Sequence, residues 1–165
     1  MNSHLEDYIN CLFKHLSITE PHHLTIDNIA HKLGITVDYG NVAFRYSDVI
    51  VLKRTTNQRE WQQFGHEVCH YLRHHGSQLE MAKTFMQLQE YQADHFAYHF
   101  CVPSFMLDKI ENLSIYDIMN QFNVEYDFAI RRFDIYENKL INLSWAKPKN
   151  ELNIRRYNRY AVPKG

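Results

Sequence analysis

The pentapeptide His66-Glu67-Val68-Cys69-His70 is the feature that most constrains how this chain can fold. On a helix, its two histidines lie one turn apart and face the same way. Their imidazoles can then hold one Zn²⁺ ion together, while Glu67, rotated by about 100° around the helix, can reach a metal-bound water. The motif therefore predicts a helix with a metal site on one face.

A second motif downstream offers a third ligand. Catalytic zinc usually takes three protein ligands and leaves the fourth position for water. Glu90 is the best candidate, and it opens a second helical pattern that has Ala93, Asp94 and Ala97 on the same face. Asp94, one turn beyond Glu90, is placed to accept the free ring N–H of a ligating histidine and so to fix its tautomer. These residues predict a site of three zinc ligands (His66, His70, Glu90), a general base (Glu67) and an orienting carboxylate (Asp94).

An alternative interpretation is that the two histidines merely decorate a surface helix, since the chain contains 11 histidines. The spacing of the neighbouring apolar residues argues against it. They form a stripe that turns the helix toward a core, with the histidines flanking the buried side. The stripe consists of Trp61, Phe64, Val68 and Leu72.

Local signals predict the ends of both helices. Asn57 is a suitable N-cap with Glu60 three residues later, and Gly76 is a suitable stop, so the metal helix is expected over about 57–75. The second helix is expected to begin near Gln78 or Met81 and to run through Phe100, before Pro103.

Two helices and a sheet are predicted before the metal helix. Ser3 with Glu6 forms a capping-box pattern, and a second helix is expected between Thr25 and Gly34. Alternating β-rich segments separated by turn pairs then predict a meander of three strands, at 35–39, 42–46 and 49–53.

The strands also indicate a way to bind substrate. A peptide can add to an exposed sheet edge as an extended strand. Strand 49–53 is the natural candidate for that edge, because it leads directly into the metal helix. The alternative is that the tail of the chain covers this edge, since proteins usually protect their edge strands.

A helical hairpin is predicted over 114–138. It can be interpreted as a helix-turn-helix with Arg131 and Arg132 pointing at DNA, but its balanced charge favours a hairpin that simply packs. The hairpin is expected to belong to a single domain over 1–145. Residues 146–165 form a basic tail, which can contact a partner or nucleic acid or remain a solvated extension.

Composition and charge narrow the class of protein. A net charge of −1 gives no reason to expect broad affinity for nucleic acid. No apolar run is long enough to span a membrane and no secretory signal is visible, so a cytoplasmic location is expected. Three cysteines without a CxxC pattern suit reduced thiols. Oligomeric state is not predicted.

The stretch from Trp61 to Pro103 resembles the ImmA/IrrE family of zinc metallopeptidases. Members carry H-E-x-x-H, then a Glu followed by an Ala-[Asp/Asn]-x-Phe-Ala run, and a Pro after the helix. This chain has Glu90, the run 93–97 and Pro103 in that order. The Glu-x-x-x-Asp element is also similar to that of thermolysin-like gluzincins. The resemblance implies the same three zinc ligands, with Glu67 as general base and Asp94 as orienter.

The predicted fold is α+β, with a small antiparallel three-stranded sheet packed on the zinc-binding helix and a second ligand helix, and a C-terminal helical hairpin. The resemblance implies a zinc endopeptidase that cleaves a helix-turn-helix transcriptional repressor, often encoded beside it in a phage or mobile element. Two alternatives stay open: a non-catalytic protein of this fold that binds a repressor or toxin, and a DNA-binding module with a structural His-Glu cluster.

The sequence does not choose the group that stabilises the tetrahedral oxyanion. Several histidine, tyrosine and arginine side chains lie near the motifs. They are His74, His75, His95, His99, Tyr71, Tyr91 and Arg73.

Overall fold

A computed structural model describes residues 3–74 and 82–145. Helix α1 spans His4–His15, and the predicted capping box is present: the Ser3 hydroxyl accepts the Glu6 N–H, and the Glu6 carboxylate accepts the Ser3 N–H. A short 3₁₀ turn follows at Pro21–His23. Helix α2 spans Ile26–Leu33, capped by Thr25 and ended by Gly34 in the left-handed conformation, as predicted.

The sheet is mixed rather than antiparallel. Strands β1 (Thr36–Gly40), β2 (Phe44–Tyr46) and β3 (Val49–Lys53) are arranged in the order β1-β3-β2. β2 pairs with β3 in the antiparallel sense, but β1 pairs with β3 in parallel. The predicted meander is therefore wrong. β3 takes the centre because it is the most apolar strand, with Ile50 and Leu52 fully buried.

The strand order also corrects the predicted substrate edge. β3, the observed strand at 49–53, is paired on both sides and cannot accept a further strand. Within the described residues, β1 and β2 form the two edges of the sheet. β2 packs beside the helix that carries His66 and His70, and its Phe44 and Tyr46 side chains are exposed.

The two motif-bearing helices are α3 (Asn57–Arg73) and α4 (Lys83–Cys101). The N-cap of α3 is Thr56, whose hydroxyl accepts the Arg59 N–H, so the prediction of Asn57 was wrong by one residue. α4 ends before Pro103 as predicted. The predicted stop at Gly76 and the predicted starts at Gln78 and Met81 lie outside the described residues.

α3 and α4 pack closely at Gly65. A Cβ atom built there would lie 2.7 Å from the Cys101 Sγ, so a side chain at this position would require Cys101 or the helix that carries it to shift. The predicted stripe on α3 is buried at Trp61, Phe64 and Val68. The close approach brings the middle of α4 against the motif of α3.

Helices α5 (Ser104–Leu107), α6 (Ile115–Phe122) and α7 (Tyr126–Trp145) complete the described chain. α6 and α7 form the predicted hairpin, but Arg132 does not face outward. Its side chain is fully buried, and its Nε donates to the Val102 carbonyl at 2.9 Å. The interpretation of Arg132 as a DNA contact is therefore wrong, because the side chain is fully buried and its Nε and Nη2 atoms donate inside the core.

Among the described residues, no helix is long and apolar enough to cross a membrane. The extent of the domain over 1–145 stays a prediction, and the basic tail at 146–165 lies outside the described residues.

Candidate metal centre

Three side chains converge between α3 and α4. The Nε2 atoms of His66 and His70 are 3.1 Å apart, and the two Glu90 carboxylate oxygens lie 3.2 Å from the first and 3.4 Å from the second. Bonds of about 2.0–2.1 Å to a tetrahedral Zn²⁺ would separate such donors by about 3.3 Å. Two imidazoles with one carboxylate form one of the ligand sets that catalytic zinc uses. The residues present thus fit a zinc ion.

The far side of each histidine ring is also occupied. The His66 Nδ1–H points at Asp94, whose Oδ1 lies 2.9 Å away. The His70 Nδ1 lies 2.9 Å from the Nδ1 of His74. Both rings therefore turn Nε2 toward the same point. The structure brings Asp94 to the place where the sequence predicted it.

Glu67 lies beside this cluster in a largely buried position. Burial raises the pKa of its carboxyl, and the charge of Glu90 raises it further, whereas His66 and Arg45 lower it; the resulting pKa is about 7. A carboxyl with a pKa near neutrality can both accept and release a proton, as general acid–base chemistry requires.

The two candidate histidine ligands differ in their electrostatics. Burial lowers the pKa of His66, but the hydrogen bond to Asp94 and the charges of Glu67, Asp94 and Glu90 outweigh this and raise it. Burial, together with the charge of His66, lowers the pKa of His70. A neutral imidazole is the form that binds a metal, so the surroundings of His70 favour ligation.

A cavity of about 420 Å³ opens in front of the cluster, and Glu67, His66 and Glu90 line one side of it. Tyr98 of α4 and Phe128 of α7 form another wall, with their ring centroids 4.5 Å apart. Ala43, the residue before β2, also lines the cavity. The space is therefore bounded by α3, α4, the α6–α7 hairpin and the residue that precedes β2.

The sequence offered seven side chains that could stabilise the oxyanion. None of the six that the structure describes lines this cavity. Tyr71 donates to the Leu33 carbonyl at 3.4 Å, and the guanidinium of Arg73 lies over the Tyr8 ring. His74 contacts His70 from behind.

The remaining candidates lie elsewhere. His99 is buried against His95, and Tyr91 is exposed beside the His95 ring. His75 lies outside the described residues.

Tyr98 is a cavity residue that the sequence motifs did not identify. It lies four residues after Asp94 and eight after Glu90, so helical periodicity places all three on one face. That spacing was the signal that could have found it.

Cys69 is not part of the cluster. Burial raises the pKa of its thiol to about 12, and its Sγ faces the Gln92 carbonyl oxygen at 3.9 Å. Within the described residues, His66, His70 and Glu90 form the group of ligand atoms close enough to share one ion.

An HExxH helix facing a Glu-x-x-x-Asp helix in a small α+β fold defines a metallopeptidase-like class of protein. Within that class, the chain belongs to the Peptidase_M78 family, described as the IrrE N-terminal-like domain, which matches residues 18–134.

Two proteins of Bacillus subtilis (strain 168) are similar to the chain. The phage-like element PBSX protein XkdA is 37% identical over 156 residues, which cover 88% of this chain and 79% of that protein. The uncharacterized protein YqaB is 35% identical over 150 residues, covering 84% of this chain and 87% of its own length. No solved structure gives a significant match.

Proposed function

We propose that this chain is a zinc-dependent endopeptidase. The observation that carries the proposal is the convergence of two imidazole nitrogens and one carboxylate within 3.4 Å, with the buried carboxyl of Glu67 beside them. A zinc ion held by His66, His70 and Glu90 would lower the pKa of a water molecule toward neutrality and polarise a peptide carbonyl.

The side chains around the site divide the remaining work. Glu67 accepts a proton from the attacking water and delivers it to the leaving amine nitrogen. Asp94 holds the His66 ring through its Nδ1–H. Tyr98, whose ring lines the same cavity, is our candidate for the donor to the oxyanion that develops on the scissile carbonyl.

β2 is the proposed docking strand for the substrate. In the described part of the chain it pairs only with β3, and the residue before it lines the cavity. An extended peptide that pairs with β2 would have its main chain hydrogen-bonded and its scissile bond near the metal centre. The exposed Phe44 and Tyr46 side chains would then contact the side chains of the peptide.

We further propose that the substrate is a helix-turn-helix transcriptional repressor, and hence that the enzyme acts in the cytoplasm. Family membership supports this, as does similarity to a protein whose name assigns it to a phage-like element. A regulatory peptidase must spare other proteins, so recognition should extend beyond the scissile bond. The α6–α7 hairpin and the tail at 146–165 are the proposed recognition surfaces.

The test combines metal analysis with substrate analysis. Protein purified without chelator should contain one zinc per chain; well under half an equivalent, not restored by added zinc, would show that the ligand assignment is wrong. The repressor encoded beside the gene is then co-expressed with wild-type or Glu67→Gln protein, and its mass is measured. Discrete fragments with wild type alone support the peptidase.

Other outcomes favour other functions. Zinc with repressor binding but no cleavage, under conditions that activate the operon, would indicate a non-proteolytic antirepressor. Steeply salt-dependent DNA binding without a role for zinc would indicate a DNA-binding module. The burial of Arg132 removes one of the two arginines on which that last interpretation depended.

A further inference from the structure

We propose that His74 is a positioning residue of the metal centre: it accepts the Nδ1–H of His70 and, with Gln92, fixes the His70 tautomer whose Nε2 is free to bind metal. The inference rests on the proposed metal site and adds to it a supporting group that the sequence pattern does not identify.

Two contacts connect His70, His74 and Gln92 in a row. The Nδ1 atoms of His70 and His74 are 2.9 Å apart, and the Nε2 of His74 lies 3.1 Å from the Oε1 of Gln92. Two ring nitrogens at hydrogen-bond distance require that one donate and the other accept.

Gln92 decides the direction. Its Oε1 can only accept, so the His74 Nε2 must carry a hydrogen. A neutral imidazole has a single N–H, which leaves the His74 Nδ1 as an acceptor. His70 must then donate from Nδ1, and its Nε2 lone pair faces His66 and Glu90.

The backbone of His74 is held in place from two sides. Its N–H donates to the His70 carbonyl at 3.3 Å, where α3 ends, and its own carbonyl accepts from Arg45 of β2 at 3.3 Å. These contacts keep the half-buried ring against His70. They also connect the edge strand to the metal helix.

The two candidate ligands are therefore supported differently. His66 donates to the carboxylate of Asp94, whereas His70 donates to a neutral imidazole. A neutral acceptor fixes the tautomer without adding a further carboxylate near Glu67, Glu90 and Asp94, whose charges it would repel.

A pair of substitutions tests the role of His74. His74→Leu removes the acceptor, whereas His74→Asn places an amide oxygen close to the position of Nδ1. Zinc affinity, measured by competition with a chelator, should fall about 10–100-fold in His74→Leu, as expected for loss of a group that orients a metal ligand. Most of it should return in His74→Asn. His31→Leu, which removes an exposed histidine of α2, should leave zinc affinity unchanged.

Long-range ¹H–¹⁵N spectra provide a second readout on wild-type protein. In the zinc-loaded form, the proton should be found on Nδ1 of His70 and on Nε2 of His74. A proton on Nδ1 of His74 would overturn the inference even if His74→Leu fails to fold. So would a folded His74→Leu protein whose zinc affinity stays within about twofold of wild type. Wild-type protein that binds no zinc would instead overturn the metal site itself.

Discussion

Glu67 has a local environment in which the charged and neutral forms of a carboxyl are nearly balanced. Burial disfavours its charge, and Glu90 repels it, but His66 and Arg45 stabilise it. The side chain is next to a proposed ligand in sequence yet is not among the three groups whose ligand atoms cluster. Metal binding and proton transfer should therefore be separable at this residue.

The substitution Glu67→Gln tests that separation. The amide keeps the size of the side chain but cannot accept the proton, so peptide cleavage should fall by at least about 10²–10⁴-fold. Zinc content and thermal unfolding should stay close to wild type, as measured by mass spectrometry and circular dichroism. Near-wild-type cleavage by this variant would remove Glu67 from the mechanism.

Tyr98→Phe examines the proposed oxyanion donor. The change removes one hydroxyl from the cavity wall and leaves the ring against Phe128. If the hydroxyl stabilises developing charge, kcat should fall about 10²–10³-fold with little change in KM. Tyr91→Phe, at an exposed position of the same helix, is the matched control. An unchanged kcat would show that the Tyr98 hydroxyl does not stabilise the oxyanion and that the side chain acts only by packing against Phe128.

At the scale of single residues, the sequence was sufficient to predict the side chains whose positions follow from helical spacing. His66, His70, Glu90 and Asp94 were predicted to face one another, and the structure brings them together. The orientation of Arg132 could not be predicted, because its hydrogen-bond acceptors, the Val102 carbonyl and the Ser104 hydroxyl, lie about 30 residues earlier in the chain, where α4 ends and α5 begins. The contact of His74 with Gln92 likewise depends on how α3 and α4 pack.

At the scale of elements, helix ends were largely predictable because capping is local. Ser3, Thr25 and Gly34 act within three or four residues of their partners. The sheet order was not predictable in the same way. A short turn at Ser47 fixes the β2–β3 hairpin, but nothing in the β1 segment encodes its parallel pairing with β3, which depends on burying β3 from both sides.

Gly65 determines how closely the two motif-bearing helices approach. In Gly65→Ala, the new methyl group would lie 2.7 Å from the Cys101 Sγ, so the Cys101 side chain or α4 itself must shift. We expect a loss of about 1–3 kcal/mol in the free energy of unfolding, as in other overpacked cores, despite the better helix propensity of alanine. Zinc affinity should fall as well, because a shift of α4 would move Glu90 away from the histidines.

A second substitution separates the clash from other effects. Cys101→Ala removes the sulfur atom, so Gly65→Ala should cost less in that background, and denaturant unfolding of the four proteins of the cycle measures the coupling. Additive effects of the two changes would show that the Gly65–Cys101 contact does not control the helix spacing.

At the scale of the whole molecule, a buried polar network links the N-terminal helix to the C-terminal hairpin. Glu6 of α1 accepts from Lys139 of α7 at 2.8 Å and from the Ser104 hydroxyl of α5. Ser104 in turn accepts from the buried Arg132 at 2.7 Å. Removing one charged side chain of the network would leave the remaining buried charge without its partner. The folded state should therefore be most stable when Glu6 is ionised.

The network predicts how stability changes in acid. Burial raises the pKa of Glu6, but the contacts with Lys139, Ser104 and the Ser3 N–H lower it by a larger amount. The net effect is to lower the pKa from 4.5 to about 2. The unfolded chain therefore binds a proton at higher pH than the folded chain. The stabilisation, about 3 kcal/mol, is complete above pH 4.5 and is lost as the pH falls toward 2.

Glu6→Gln measures this contribution directly. The variant should be less stable than wild type by about 3 kcal/mol at pH 7, and the difference should shrink between pH 5 and pH 2, since protonation removes the same charge from wild type. Urea unfolding at a series of pH values gives both curves. Glu20→Gln, which breaks an exposed pair with Lys109, should change the curve little. Parallel curves for Glu6→Gln and wild type over this range would show that the Glu6 carboxylate does not couple folding to pH.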